Sequence, residues 1–195
     1  MAQKQQHVDI FRKFQLRRTL LKRVGAGAVY VPFIGEGDIA AELYGGREVF
    51  GADINPAYVA TARARLPEAT IEVADCDGWP FNEQTTPPFA VADFDAWCYP
   101  YDAFRAFWEG ASKAKRLALF FTDGERAGIR TGSWRKPEGQ RQSGLTLAER
   151  RPVLNFYASK IVQPYLRDYV RPWRVVVMMG YLRKWMYYWG AVVER

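Results

Sequence analysis

Short runs of β-forming residues alternate with helix-like stretches from residue 28 to residue 121, and this alternation limits the possible folds most. Five runs fit buried strands: AVYVPF, EVFGAD, TIEVAD, FAVADF and RLALFF. Helical stretches follow the first, second and fourth of them, over residues 38–46, 55–66 and 101–115. Strands separated by helices of this length indicate crossover connections, so the sequence predicts a parallel sheet in an α/β fold.

The N-terminal part differs in character from this alternating region. Residues 8–24 contain no glycine or proline, and Ile10, Phe14 and Leu21 fall on one side at helical spacing. Residues 1–23 carry seven basic side chains and one acidic side chain, so most of the net charge of +7 is concentrated there. The pattern predicts a basic N-terminal helix within residues 1–24.

The C-terminal third gives three further predictions. Residues 123–144 are rich in glycine and charge and have almost no apolar periodicity, which predicts a long loop. A helical stretch follows over residues 145–169, with breaks expected near Pro152 and Pro164. Residues 173–195 then predict two strands joined by a turn.

Length and composition are those of a globular protein, and the 195 residues predict a single domain. Cys76 and Cys98 form no CxxC pair and His7 is the only histidine, so no metal site is expected. The sequence contains no apolar run of membrane-spanning length and no signal peptide, which predicts a cytoplasmic protein without a membrane partner. The pattern says nothing about oligomeric state.

A glycine turn follows the first predicted strand. Gly35, Glu36 and Gly37 stand between a strand and a helix, where residues without side chains let the backbone approach a ligand. Asp53 ends the second predicted strand, where a carboxylate can accept hydrogen bonds from both ribose hydroxyls. GEGDIA also fits the G-x-G-x-x-A dinucleotide fingerprint, so an NAD-dependent oxidoreductase and a tight turn without a ligand both stay open.

Residues 29–66 resemble the first two motifs of amino-directed nucleic-acid methyltransferases. In that family a strand ends in a D/E-P-F-x-G-x-G turn, and the next strand ends in an acidic residue followed by Asn-Pro and a helix. The matching residues are Pro32, Phe33, Gly35, Gly37, Asp53, Asn55, Pro56 and Tyr58. The resemblance implies a Rossmann-like class I methyltransferase: a doubly wound, mostly parallel seven-stranded sheet with an antiparallel C-terminal strand. It also implies S-adenosyl-L-methionine as the cofactor and S-adenosyl-L-homocysteine as the product.

One departure from the family concerns the cofactor's amino group. Val31 stands where the family carries an acidic residue that contacts the methionine amine, and we expect Glu36 or Asp38 to replace it. The resemblance also implies that Asp75 accepts a hydrogen bond from the adenine amine, with Asp77 as the alternative. The predicted cofactor residues are Pro32, Phe33, Gly35, Glu36, Gly37, Asp53, Ile54, Asp75, Cys76 and Asp93.

Residues 93–100 resemble the D-[IL]-D-P-[FY]-G-S-P motif of the tRNA guanine N2 dimethyltransferase family, and FFTDG resembles that family's T-x-T-D. The matching residues are Asp93, Asp95, Trp97, Pro100 and Asp123, whereas Ala96, Cys98 and Tyr99 differ. A carboxylate that hydrogen-bonds an exocyclic amine favours attack by nitrogen, and an aromatic face can hold a base. The predicted catalytic residues are Asp95 and Asp93, with Trp97 or Tyr99 holding the base.

The basic side chains outside these motifs indicate a nucleic-acid partner, RNA or DNA, because they can neutralise phosphates. The predicted substrate-binding residues are Arg12, Arg17, Arg18, Arg126, Arg130 and Arg135, with Trp134 stacking on a base. The leading hypothesis is methyl transfer from S-adenosylmethionine to an exocyclic amino group of a nucleic-acid base. The alternatives are a small-molecule or protein acceptor, the oxidoreductase, and an inactive methyltransferase-like binding module.

Overall fold

The computed structural model of the protein describes residues 2–76, 81, 86–96 and 99–195, with side chains from residue 10 onward. The helices and strands, in chain order, are α1 (Ala2–Leu21), β1 (Ala28–Val31), α2 (Asp38–Tyr44), β2 (Val49–Asp53), α3 (Pro56–Arg65), β3 (Thr70–Val73), β4 (Phe89–Phe94), α4 (Tyr101–Gly110), β5 (Lys113–Asp123), α5 (Glu125–Thr131), β6 (Ser133–Arg135), β7 (Arg141–Ser143), α6 (Leu147–Phe156), a π-helical segment (Tyr157–Val162), α7 (Gln163–Tyr169), β8 (Arg174–Arg183) and β9 (Met186–Glu194). Within these described ranges, no helix combines the length and apolarity that crossing a membrane requires.

Seven strands form one sheet in the order β3-β2-β1-β4-β5-β9-β8. Strands β1 to β5 are parallel, and β9 runs antiparallel to its neighbours β5 and β8. The predicted α/β fold, with a mostly parallel seven-stranded sheet and an antiparallel C-terminal strand, is therefore confirmed. Dinucleotide-binding Rossmann sheets have the order 3-2-1-4-5-6, so the position of β9 between β5 and β8 counts against the oxidoreductase hypothesis.

The central strands are apolar on both faces because helices cover both sides of the sheet. All six residues of β4 are buried, including Asp93. Asn55 caps α3 by accepting a hydrogen bond from the Ala57 backbone N–H at 3.0 Å, and Pro56 occupies the first helical turn. Because β1 to β5 are parallel, their carboxyl ends lie at the same edge of the sheet, where the turns that follow them can line a common site.

Helix α1 packs against the sheet over β9, and Gly190 makes this close approach possible. A β-carbon at Gly190 would lie 2.7 Å from Leu20 Cδ1 and 2.8 Å from Phe120 Cδ1, so a larger residue there would force these side chains to shift. Leu16 and Leu20 are buried on the sheet side of the helix. The predicted basic helix is present, but one of its basic side chains, Arg17, is buried in the protein.

The prediction of a long loop over residues 123–144 is wrong. The segment forms α5 and the β6–β7 hairpin. Gly128 permits close packing, because a β-carbon there would lie 2.5 Å from the Ser133 carbonyl oxygen. The hairpin buries Trp134, whose ring packs edge-on against Tyr157 with centroids 5.9 Å apart. Gly132, Gly139 and Gly144 instead have positive φ. The sequence pattern does not distinguish either use of glycine from a loop.

The helical stretch after residue 145 does not break at Pro152. This proline lies inside α6, and the π-helical segment connects α6 directly to α7. The wider π-helical turns end two residues before Pro164, which lacks the N–H needed to continue them. Near Pro164, the expected interruption is therefore a change of helical geometry and not a gap.

Candidate functional site

A cavity of about 930 Å³ opens at the carboxyl ends of the parallel strands. In open α/β sheets ligands bind in this position, at the point where the strand order reverses, which here is between β1 and β4. Turns after β1 to β5 line the cavity together with α1 and the β8–β9 turn. The lining includes six of the predicted cofactor residues: Phe33, Gly35, Asp53, Ile54, Asp75 and Cys76.

The carboxylate of Asp53 points toward the glycine turn. Its Oδ2 accepts a hydrogen bond from the Gly35 backbone N–H at 3.0 Å, and its Oδ1 accepts one from the Asn55 N–H at 2.9 Å. Gly35 has φ of +54°, and a β-carbon added there would meet no atom within 4 Å. The structure therefore brings a fixed carboxylate and an open backbone turn to the same wall of the cavity.

Ile54 and Asp75 extend this wall beyond Asp53. Ile54 follows β2 and is 72% exposed, and Asp75 follows β3 and is also exposed. Both line the cavity. An apolar side chain and a second carboxylate thus line the same cavity as Asp53. Asp77, the alternative to Asp75, lies outside the described residues.

Other members of the predicted cofactor set lie outside the cavity lining. The buried Pro32 carbonyl accepts a hydrogen bond from the Cys76 thiol. Gly37 is the N-cap of α2, and a β-carbon there would lie 3.2 Å from Ala62, so this glycine permits α2 and α3 to pack closely.

Glu36 and Asp38, expected to replace the acidic residue missing at Val31, both form ion pairs with Arg65 on the surface. Neither side chain lines the cavity. The structure therefore contradicts that expectation.

Asp93 and Arg17 correct two further predictions. Asp93 is fully buried and does not line the cavity, so it is not placed to contact a cofactor or an acceptor. Arg17 is 1% exposed and donates to both Asp93 oxygens, at 2.6 and 2.7 Å, so it cannot contact a phosphate. Tyr44 donates a third hydrogen bond to Asp93 at 2.6 Å. The prediction failed because charge in a sequence gives no sign of being paired inside the protein.

Asp95 lines the cavity, as predicted, but it is already engaged by α1. The Lys13 ammonium donates to its two oxygens at 2.7 and 2.9 Å, and the Thr122 hydroxyl donates to Oδ1. Burial opposes ionisation of Asp95, but the charges of Lys13 and Arg17 outweigh it and lower the pKa of this carboxyl. Asp95 is therefore ionised and paired with Lys13, which the sequence did not predict.

The aromatic residues that were predicted to contact an acceptor base are Trp97, Tyr99 and Trp134. Trp97 lies outside the described residues. Tyr99 does not line the cavity: its hydroxyl donates to the Lys136 carbonyl at 2.8 Å, and the Arg135 guanidinium lies 4.3 Å from its ring centre. Trp134 is buried and cannot stack on a base. These two aromatic residues hold the β6–β7 hairpin in place.

Trp185, which sequence reasoning missed as a site residue, lines the cavity from the β8–β9 turn and is 41% exposed. The Arg130 guanidinium lies 4.0 Å from its ring centre, and Arg126 donates to the adjacent Lys184 carbonyl at 3.2 Å. The signal that could have identified it is its position in the turn between two strands. Its neighbours Tyr187 and Trp189, within the strand, are buried.

Three predicted substrate-binding arginines remain at the surface or pair there. Arg12 is exposed and its guanidinium lies 5.9 Å from the Tyr181 ring centre. Arg18 is exposed and pairs with Glu42, while Arg135 pairs with Asp102. Two of these three arginines are therefore already paired with a carboxylate.

The fold resembles that of known methyltransferases. N-methyltransferase NodS from Bradyrhizobium japonicum WM9 has a TM-score of 0.60, with 12% identity over 96% of both chains. An S-adenosylmethionine-dependent methyltransferase from Mesorhizobium loti has a TM-score of 0.58, with 18% identity over 92% of this chain and 95% of the other. Geranyl diphosphate methyltransferase has a TM-score of 0.57, with 12% identity over 92% of this chain and 77% of the other.

Sequence comparison adds nothing to this structural likeness. No model of a protein family matches the chain, and no curated protein matches it. The chain therefore has the fold of S-adenosylmethionine-dependent methyltransferases.

Proposed function

We propose that the protein is an S-adenosylmethionine-dependent methyltransferase. The main support is the position of the Asp53 carboxylate in a chain that has the methyltransferase fold. The carboxylate accepts a hydrogen bond from the Gly35 N–H at 3.0 Å, beside a turn that is open to the cavity. S-adenosylmethionine, when bound, supplies a methyl group on a sulfonium, ready for transfer to a nucleophile. Asp53 would accept hydrogen bonds from the ribose hydroxyls, Ile54 would cover the adenine ring, and Asp75 would accept from its amine. These residues fit the nucleoside part of the cofactor.

The direct test is calorimetric binding of S-adenosylhomocysteine to the wild-type protein and to Asp53→Ala. We expect measurable binding by the wild type and at least a tenfold loss in the variant, because the ribose loses its acceptor. Asp168→Asn, on the exposed end of α7, is the matched control and should bind like the wild type. A wild-type protein that binds NAD but not S-adenosylhomocysteine would reverse the assignment.

For the acceptor, we propose the exocyclic amine of a nucleic-acid base. Two observations support this choice. Trp185 offers an aromatic ring to the cavity, and Arg130 covers part of that ring, which leaves a face on which a planar base can stack. Lys184, Arg126 and Arg130 surround the turn and would attract phosphates. Transfer of a tritiated methyl group to RNA or DNA, lost in Trp185→Ala, is the expected result.

A small-molecule acceptor is the second candidate, and the pairing of two predicted phosphate-binding arginines favours it. Arg17 is buried against Asp93 and Arg135 pairs with Asp102, which leaves fewer cations for a polymer. The two candidates differ in their response to charge reversal at Arg12, which is exposed. Arg12→Glu should weaken RNA or DNA binding if the acceptor is a nucleic acid. It should leave methyl transfer to a small acceptor unchanged.

A further inference from the structure

The ion pair between Lys13 and Asp95 faces the same cavity as Asp53. The ammonium lies 2.7 and 2.9 Å from the two carboxylate oxygens, and the side chains of Lys13 and Asp95 retain 17% and 15% exposure. Within the described part of the chain, Lys13 Nζ donates to no acceptor other than Asp95. An ammonium has three N–H bonds, so one is left that donates to no described acceptor, although the ammonium also lies 5.1 Å from the Tyr188 ring centre.

Buried contacts hold this pair in place. Lys13 and Arg17 are one turn apart on α1, and Arg17 is fixed by its two bonds to Asp93. Thr122 at the end of β5 donates to Asp95 from the other side. The pair is therefore part of the cavity wall and not a chance contact between two mobile surface side chains.

The position of the pair suits one part of the proposed cofactor. Asp53 ends β2 and Asp95 follows β4, and β1 lies between these strands. Two strand spacings separate the two carboxylates by roughly 10 Å across the sheet. This separation corresponds to the distance from a ribose to the amino-acid group of S-adenosylmethionine, which carries both an ammonium and a carboxylate.

We propose that Lys13 and Asp95 bind the amino-acid end of S-adenosylmethionine, with Asp95 accepting from its ammonium and Lys13 donating to its carboxylate. This inference rests on the proposed function. A zwitterion can exchange partners with the ion pair so that every charge stays paired. A neutral arylamine has no charge to exchange and would have to share the Asp95 carboxylate with Lys13 and Thr122. The assignment therefore moves Asp95 from the acceptor to the cofactor and supplies the acidic group absent at Val31.

The test compares two ligands by calorimetry: S-adenosylhomocysteine, and 5′-methylthioadenosine, which lacks the amino-acid group. Lys13→Met should weaken S-adenosylhomocysteine binding at least tenfold and change 5′-methylthioadenosine binding less than twofold. Lys13→Arg keeps the charge and should restore most of the affinity. Lys22→Met, at an exposed lysine directly after α1, is the matched control and should change neither affinity. Thermal unfolding of each variant verifies that α1 remains docked.

Each outcome decides between the possibilities. Equal loss for both ligands, or no loss for either, would overturn the role of Lys13, and so would tighter binding of S-adenosylhomocysteine to Lys13→Met. If 5′-methylthioadenosine binds too weakly to measure, the affinities of Lys13→Met, Lys13→Arg and Lys22→Met for S-adenosylhomocysteine decide the matter. Failure of the wild type to bind either ligand, by contrast, would refute the proposed function itself.

Discussion

Arg17 and Asp93 lie 76 positions apart in the chain and are joined in the interior by two hydrogen bonds of 2.6 and 2.7 Å. The contact fastens α1 to the end of β4, directly behind the candidate site. Burial and the Asp93 charge also raise the pKa of Tyr44, which keeps this hydroxyl protonated as a donor to the same carboxylate. The basic N-terminal helix is thus a structural wall of the site.

Replacing Arg17 with Met should destabilise the protein by about 3–5 kcal/mol, because it leaves the buried Asp93 carboxylate without its cation. Arg18→Met removes the exposed pair with Glu42 one position further on and should cost no more than about 1 kcal/mol. Urea unfolding of the two variants measures both effects. Similar small losses for both would mean that Asp93 finds another partner.

Replacing Gly35 with Ala should lower the affinity for S-adenosylhomocysteine by at least tenfold, since the added methyl group enters the open space beside Asp53. Gly46→Ala is the control. Gly46 also has positive φ and no neighbour within 4 Å of an added β-carbon, but it lies outside the cavity lining. Both variants should lose about 1–2 kcal/mol of stability. Equal affinities in calorimetry would exclude the turn as a ligand contact.

Replacing Trp185 with Ala should weaken the binding of a fluorescent RNA or DNA oligonucleotide by about 1–3 kcal/mol, the contribution of one base stacked on an aromatic ring. Binding of S-adenosylhomocysteine should change little. Leu182→Ala removes another exposed apolar side chain from the same hairpin, one outside the cavity lining, and should have no effect. A loss of the same size in both variants would point to the hairpin as a whole.

Replacing Asp123 with Asn should change how stability depends on pH. Burial raises the pKa of Asp123 to about 6, against roughly 3.9 in the unfolded chain. The folded state therefore holds the extra proton between about pH 4 and pH 6, and this residue's contribution to stability falls as pH rises through that window, by about 3 kcal/mol in total.

Urea unfolding at pH 4.5, 5.5 and 7 measures the difference between the wild type and Asp123→Asn. The wild-type advantage should be largest at pH 4.5 and smallest at pH 7. A constant difference across these values would show that Asp123 does not titrate there.

The parallel half of the fold was predictable from the sequence because its signals are local. Strand β4 was predicted with its observed bounds, and Asn55 and Pro56 mark the start of α3. The turn at Gly35 and the carboxylate at Asp53 could be paired because consecutive parallel strands end at the same edge. Such features need only spacing and residue type.

What could not be predicted depends on contacts between distant segments. Lys13 and Arg17 read as a surface charge run, and only the docking of α1 over β9 turns them toward Asp95 and Asp93. Gly128 was predicted to lie in a loop, but it lies in α5, where the β6–β7 hairpin packs against it and leaves no room for a side chain. Trp185 is separated from the buried Tyr187 by one residue, and hairpin geometry alone directs it into the cavity.

Strand β9 follows β8 in the chain but lies between β5 and β8 in the sheet. Among the described strands, β8 pairs only with β9 and forms the edge of the sheet. A two-residue turn joins the pair, whereas β9 meets β5 across more than sixty residues. Local hairpins form in microseconds, and long loops cost more entropy to close. We therefore expect β8 and β9 to pair with each other before β9 pairs with β5. The turn that carries Trp185 is therefore expected to form before β9 docks on β5.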